Sequence, residues 1–113
     1  MRNQNRGTVL GDSVAVARTR AARNTGLLKH KSLDAGHGLW IDPCPSVHTF
    51  FMKFAIDLVY LDKRLRVRKV RYAVPPWRVS GCLWARSVLE LPAGSVAETG
   101  TKPGDQLSVE EVG

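Results

Sequence analysis

The stretch FFMKFAIDLVYL at residues 50–61 decides the fold, because it is the most apolar part of the chain. Only Lys53 and Asp57 carry charge within it. Its length would also suit one buried helix, but Phe, Ile, Val and Tyr dominate its composition, which favours strands. We therefore predict two strands that meet at a corner over residues 53–55.

The segment after this stretch predicts a strand with an irregularity. Residues 62–64 read as a tight turn into a strand over residues 65–74. Leu65 and Val67 share one face of that strand, whereas the apolar residues beyond Lys69 have the opposite parity. Because side chains alternate strictly across a sheet, the change of parity predicts a β-bulge near Arg68 and Lys69.

The rest of the chain predicts further short strands and little helix. Alternating apolar residues indicate strands over 13–18 and 85–91 and a last strand with Leu107 and Val109 inward, and the apolar run 39–41 predicts a short buried strand. A short helix is expected over residues 20–28 and a helical turn over 95–99. These elements predict a mainly β domain, a small antiparallel barrel or sandwich, over residues 13–113. Residues 1–12 are expected to form a flexible arm.

Composition excludes several classes of protein. The chain has 113 residues, which fits one domain, and 43% of them are apolar, which argues against disorder. No apolar run is long enough to span a membrane. The N-terminal residues lack the apolar core of a secretory signal, and two cysteines suit a reducing compartment, so we predict a cytoplasmic protein.

Several motifs, taken together, resemble one family. They are Gly-Leu-Leu at 26–28 with Lys-Ser-Leu at 31–33, Gly-Leu-Trp-Ile at 38–41, Thr-Phe-Phe-Met-Lys at 49–53, the run 56–62, the run Ala-Arg-Ser-Val-Leu-Glu-Leu-Pro-Ala-Gly at 85–94, and Gly-Asp at 104–105. The family is the domain of unknown function 192, which the chain resembles over roughly residues 13–109. The resemblance implies a compact β-rich barrel or sandwich with a short helix near its start, and it implies no activity.

The first functional hypothesis is a non-enzymatic module that binds a small ligand or a partner protein, with no cofactor. The site would lie where segment 42–57 faces segment 75–86, since charges inside apolar segments must be paired or reach a cleft. Its candidate residues are His48, Phe51, Lys53, Asp57, Trp77, Arg78 and Glu90. The structural alternative is that the charged members make contacts within the fold, with Glu90 meeting Arg86 or Lys53.

The second hypothesis is a nucleic-acid-binding module. Residues 63–71 hold six cations and no acid. The candidate residues on this strand are Arg64, Arg66, Arg68, Lys69 and Arg71, with Trp77, Arg78, Trp84 and Arg86 adding rings and charge from nearby segments. Cations that bind phosphates and rings that stack on bases are the combination used by single-strand binders. The alternative is a solvated face whose charges protect a strand edge from aggregation.

The third hypothesis is a thiol or metal site at Cys44 and His48, with Cys82 as a further metal ligand. These residues include the ligand types that zinc uses, but no close Cys-x-x-Cys pair is present. A nucleophilic Cys44 would need His48 within hydrogen-bond reach as a base. The structural alternative is a buried cysteine and a hydrogen-bonded loop histidine.

Overall fold

The fold comes from a computed structural model, which describes residues 1–17, 36–43, 46–48, 53–82 and 84–109. Within these residues it contains ten strands and one short helix. The strands are β1 (Arg2–Asn3), β2 (Thr8–Val9), β3 (Ser13–Ala17), β4 (His37–Ile41), β5 (Ser46–His48), β6 (Ile56–Leu61), β7 (Val67–Val74), β8 (Val79–Gly81), β9 (Ser87–Pro92) and β10 (Leu107–Ser108), and the helix is α1 (Ser95–Thr99).

A five-stranded sheet in the order β3-β4-β9-β6-β7 forms the centre of the molecule. The mainly β class is therefore confirmed. However, β3 runs parallel to β4, and the described strands leave the sheet open at β3 and β7. This arrangement differs from the antiparallel barrel or sandwich that the sequence predicts. Residues 18–36 separate β3 from β4, and a connection of that length allows the crossover that a parallel pair needs.

The two faces of this sheet carry separate apolar clusters. One, the helix face, packs against α1 and the N-terminal residues, and it includes Trp40, Val59, Leu61, Leu89, Leu91, Val96 and Leu107. The other, the far face, includes Leu39, Ile41, Ile56, Leu58, Tyr60 and Val88, with Phe54, Cys82 and Ala85 packed against it. Strands β6 and β9 are consequently buried on both faces, as expected for the centre of a sheet covered on both sides.

The N-terminal residues belong to the packed domain, in contrast to the flexible arm predicted for residues 1–12. Strand β1 pairs with both β2 and β10 in a second, three-stranded sheet. Asn3 is fully buried, and its amide Nδ2 donates to Thr101 Oγ1 at 3.1 Å and to Asp105 Oδ2 at 3.0 Å. Burial alone would raise the pKa of Asp105, but hydrogen bonds from Asn3, a backbone amide and Arg6 hold it below its usual value.

The bulge predicted near Arg68 and Lys69 is confirmed. Tyr60 pairs with Lys69 and Leu61 pairs with Val67, so Arg68 is the extra residue of β7. A second register shift lies between the pairs Ile56↔Val74 and Leu58↔Arg71. Ala73, near this second shift, has a φ of 45°, a backbone conformation that residues other than glycine rarely adopt.

The remaining predictions on local structure divide three ways. The strand predicted in the second half of residues 50–61 is confirmed as β6, and α1 occupies the segment where a helical turn is expected. The helix predicted over 20–28 and the first strand of residues 50–61 fall largely or wholly outside the described residues. Strands β5 and β8 lie where the sequence analysis predicts no strand. No helix in the described part of the chain is both long and apolar enough to cross a membrane.

Candidate functional site

A surface cleft of about 700 Å³ lies beside the turn between β6 and β7. The turn and the start of β7 form one wall, and the residues that precede β9 form the other. The cleft is lined by Asp62, Lys63, Arg64, Arg66, Arg68, Trp84, Ala85 and Arg86. The backbone amide of Arg86 donates to the carbonyl of Leu61 at 2.8 Å, which holds the two walls together.

The carboxylate of Asp62 fixes the shape of the turn. Its Oδ1 accepts the backbone amides of Arg64 and Arg66 at 2.8 and 3.0 Å, and its Oδ2 lies 3.0 Å from the guanidinium of Arg68. Burial on its own would raise the pKa of Asp62, but these amides and the guanidinium lower it below its usual value. The carboxylate is therefore already satisfied within the protein.

The cations of the cleft fall into two groups. Arg68 is paired with Asp62, and Arg86 is paired with Asp42 at 3.1 Å. Within the described residues, no carboxylate lies within ion-pair distance of the exposed side chains of Lys63, Arg64 and Arg66. These three cations can therefore bind an external anion without breaking an ion pair of that part of the chain.

An exposed indole stands among these cations. The side chain of Trp84 is 81% exposed, although burial of its ring would be favourable. An exposed aromatic face beside several cations can stack on a flat, anionic ligand. The cleft therefore offers the charge and the ring of a site for a ligand that is both planar and negatively charged.

A second, smaller hollow of about 270 Å³ adjoins the cleft. We call it the Asp42 hollow. It shares Asp62, Lys63 and Arg86 with the cleft, and its own lining residues are Trp40, Asp42, Leu65 and Ser87. Trp40 is fixed in its wall, because its indole Nε1 donates to Ser87 Oγ at 2.8 Å.

The first predicted site is brought together only in part. Segments 42–57 and 75–86 do meet, because β5 pairs with β8 and His48 is opposite Val79. Trp77 and Arg78 are exposed immediately before β8, and Lys53 is exposed as well. Phe51 lies outside the described residues, and for His48 only the backbone is described.

Asp57 does not line a cleft. It is fully buried on the helix face, where Oδ1 accepts the amide of Ala73 at 2.8 Å and Oδ2 accepts those of Gly94 and Val96 at 3.1 and 2.9 Å. Asp57 pairs with Leu91, whereas Glu90 pairs with Leu58. Since neighbouring residues of a strand point to opposite faces, Asp57 and Glu90 lie on opposite sides of the sheet and cannot share a pocket.

Glu90 is buried on the far face, with 6% of its surface exposed. Burial raises the pKa of this carboxyl to about 7. The expected partners are engaged elsewhere or exposed: Arg86 pairs with Asp42, and Lys53 faces solvent. The prediction that Glu90 pairs with Arg86 is therefore wrong, because the guanidinium of Arg86, which directly precedes β9, pairs with Asp42 instead.

The predicted nucleic-acid residues are divided between the cleft and other places. Arg64, Arg66 and Arg68 line the cleft together with Trp84 and Arg86. Lys69 instead donates from Nζ to the carbonyl of Gly81 at 2.7 Å, with that nitrogen 5.7 Å from the centre of the Tyr60 ring. Arg71 is exposed farther along β7, outside the cleft.

The sequence interpretation missed three lining residues. Lys63 belongs to the cationic run, but the turn rather than the strand places it in the cleft. Asp62 comes directly before the two turn residues, a position where an aspartate side chain often accepts backbone amides of the turn. The sequence could therefore have indicated that Asp62 fixes the turn. No sequence pattern indicates that Asp42 lines the site, because its position beside Arg86 depends on the order of the strands in the sheet.

The thiol or metal site at Cys44, His48 and Cys82 stays a prediction, because Cys44 and the side chain of His48 lie outside the described residues. Cys82 packs against the apolar cluster of the far face as a free thiol, and Cys44 lies outside the described residues. In that part of the chain, no group of three histidine, cysteine or acidic side chains is arranged to hold a metal ion.

A family model and two solved structures match this chain. The model of the family DUF192, described as "Uncharacterized ACR", matches residues 1–109. A crystal structure of a protein of unknown function from Novosphingobium aromaticivorans DSM 12444 matches with a TM-score of 0.75 and 23% identity, over 82% of this chain and 71% of that one.

A second crystal structure has the same fold. It is that of a candidate transcription regulator from Sinorhizobium meliloti 1021, and it matches with a TM-score of 0.76 and 23% identity, over 82% of this chain and 78% of the other. No protein with a curated description matches the chain. At such identity, these likenesses support the fold and say nothing of activity.

Proposed function

The chain belongs to the domain of unknown function 192 family, and we propose that it is a non-enzymatic module that binds single-stranded nucleic acid in the cleft beside the β6–β7 turn. One observation carries the proposal. The exposed indole of Trp84 and the cations Lys63, Arg64 and Arg66, which have no carboxylate partner among the described residues, line the same concave surface. The proposal requires no cofactor.

The chemistry of the cleft favours an unpaired strand over a duplex. Cations attract the phosphates of any nucleic acid, but a ring that stacks on a base needs a base face that is exposed. In a duplex, the neighbouring base pairs cover those faces. Trp84 therefore favours single strands, while Lys63, Arg64 and Arg66 bind the backbone.

The first sequence hypothesis, a ligand pocket between segments 42–57 and 75–86, has less support. Two of its polar members, Asp57 and Glu90, lie on opposite faces of the sheet. We further propose the cytoplasm as the location, as the sequence predicts.

The test is the binding of dye-labelled thymidine strands, measured by fluorescence anisotropy. With three cations available, the slope of log K against log salt should be about −2 between about 50 and 200 mM salt. Trp84→Ala should weaken binding about tenfold, since stacking on one base contributes about 1–3 kcal/mol. The double variant Arg64→Gln, Arg66→Gln should weaken binding by at least as much and make the slope shallower.

The double variant Arg71→Gln, Lys102→Gln is the matched control, because it removes the same two positive charges from exposed positions outside the cleft. It should reduce binding far less than the loss of Arg64 and Arg66. Equal losses for both would show that only the overall charge attracts the strand. Binding that ignores salt, or no binding at low salt, would refute the proposal.

A further inference from the structure

The Asp42 hollow gives the cleft a neighbour with a different chemistry. The cleft itself is lined by five cations and one carboxylate, which is already satisfied. The hollow combines two carboxylates, Asp42 and the same satisfied Asp62, with two cations and the apolar side chains of Trp40 and Leu65, so Asp42 is the carboxylate that it adds. We propose that the Asp42 hollow selects a guanine base of the bound strand, an inference that rests on the proposed function of the cleft.

The carboxylate of Asp42 is the first reason for this choice. A carboxylate accepts hydrogen bonds and donates none, and each of its oxygens can accept more than one. In the described part of the chain, the hydrogen bond to its side chain comes from Arg86 Nε, at Oδ1, so the carboxylate retains accepting capacity. Its side chain is 19% exposed and lines the hollow.

The pairing edges of the bases differ in what they present to such a group. Guanine places two donors side by side, N1–H and the 2-amino group, opposite the two carboxylate oxygens. Adenine and cytosine have an acceptor nitrogen next to their amino donor, and a carboxylate repels that acceptor. Thymine and uracil have one donor between two carbonyl acceptors. Single-stranded recognition reads these edges, so a carboxylate discriminates in favour of guanine.

The cations of the hollow supply the complementary half. Lys63 and Arg86 line the hollow as well as the cleft. Guanine carries acceptors at O6 and N7, and Lys or Arg is the side chain that binds them most often. A base with donors on one edge and acceptors on another therefore matches a hollow that has both a carboxylate and cations.

The walls of the hollow are fixed before a base enters. The indole of Trp40 is held by Ser87 Oγ, and Arg86 is held by Asp42. Leu65 has a φ of 64°, a conformation that is costly for a residue with a branched side chain, and its amide donates to the carbonyl of Asp62 at 3.0 Å. Because these groups are already ordered, binding loses less conformational entropy.

The experiment compares short thymidine strands that differ only in their central base. That base is guanine, hypoxanthine, which lacks only the 2-amino group, or adenine. Anisotropy titrations of the full chain should show binding about tenfold weaker for adenine and about fivefold weaker for hypoxanthine than for guanine. Asp42→Asn should remove these differences while the strand still binds, because the amide presents a donor where the carboxylate has an acceptor.

Arg86→Gln is the control for the ion pair that Asp42→Asn also breaks. It should weaken all three strands while the preference for the 2-amino group persists. Equal affinity for guanine and hypoxanthine strands in the unaltered protein would overturn the inference and leave the proposed function standing. No binding of any strand at low salt would overturn the proposed function itself. The hypoxanthine comparison needs no variant, so it decides the question even if Asp42→Asn does not fold.

Discussion

The two carboxylates in the central sheet, Asp57 and Glu90, are buried to a similar degree but have opposite surroundings. Asp57 accepts three backbone amides on the helix face. Glu90 lies between Leu39 and Leu58 on the far face, and no hydrogen bond or ion pair ties its carboxyl to the described residues. The comparison teaches that burial of an acid is not evidence of one role, since its partners decide the cost.

The backbone supplies the partners of Asp57. Gly94 occupies the N-cap position of α1 with no side chain to accept an amide, and Asp57 reaches across from β6 to do so. Its second oxygen accepts the amide of Ala73, beside the second irregularity of β7. One carboxylate thus joins a strand, a helix and an irregular strand edge.

The largest effect is expected from removing Asp57. Asp57→Leu leaves three amides without their acceptor, each of which costs about 1–3 kcal/mol when buried. We expect the free energy of unfolding to fall by about 4 kcal/mol in urea titrations at neutral pH. Asp57→Asn, which retains one carbonyl oxygen, should lose less. A loss below about 1 kcal/mol for Asp57→Leu would show that the hydrogen bonds of Asp57 add little stability, so that Asp57 and Glu90 differ in position but not in energy.

Glu90 is expected to make stability depend on pH in the opposite sense from a paired acid. Its pKa is raised from 4.5 to about 7 in the folded state. As pH rises through this window, the unfolded chain ionises first, so its contribution to stability is complete below pH 4.5 and is lost by about pH 7. The loss amounts to about 3 kcal/mol.

Glu90→Gln removes that dependence. The difference in unfolding free energy between Glu90→Gln and the wild type should change in favour of the variant by about 3 kcal/mol from pH 4.5 to 7. Asp62 and Asp105, whose pKa values are lowered, also make stability depend on pH, but they do so equally in the variant and the wild type. Their contributions therefore cancel in the difference between the two proteins. Glu98→Gln, at an exposed position of α1, is the control and should show no such trend. A flat difference for Glu90→Gln would mean that a partner stabilises its ionised form.

The smallest effect is expected from Lys69, the cation whose ammonium contacts the Tyr60 ring of the far face. Lys69→Met keeps most of the apolar stem but removes the donor to the carbonyl of Gly81. We expect a loss of about 1 kcal/mol in urea titrations. Lys102→Met, at an exposed turn, should change stability by less than half of that. Equal changes would show that the far face gains nothing from this contact.

Local properties of the fold could be predicted from the sequence, and long-range ones could not. The bulge at Arg68 was visible because strand parity is a property of neighbouring residues. Strand β1 has two residues, too few for any periodicity, and its partner β10 lies at the other end of the chain. Strands β5 and β8 have three residues each, which is also too few for a readable periodicity.

The candidate site shows the same limit. The cationic run and the aromatic residues indicated Arg64, Arg66 and Trp84, because the charge or the aromatic ring of a side chain is known from the residue type alone. The role of Asp57 was hidden, since its partners are backbone amides, which every residue except proline carries. The position of Asp42 beside Arg86 depends on the pairing of β4 with β9, and composition does not reveal strand order.

The pairing of Arg2 with Ser108 sets an order of events during synthesis. Strand β1 can pair with β2 at once, but its pairing with β10 must wait until the residues between them have emerged from the ribosome. Contacts of such high sequence separation slow folding, because the closure of a long loop costs entropy before the contact is made. The small sheet that buries Asn3 is therefore expected to be among the last parts of the molecule to form.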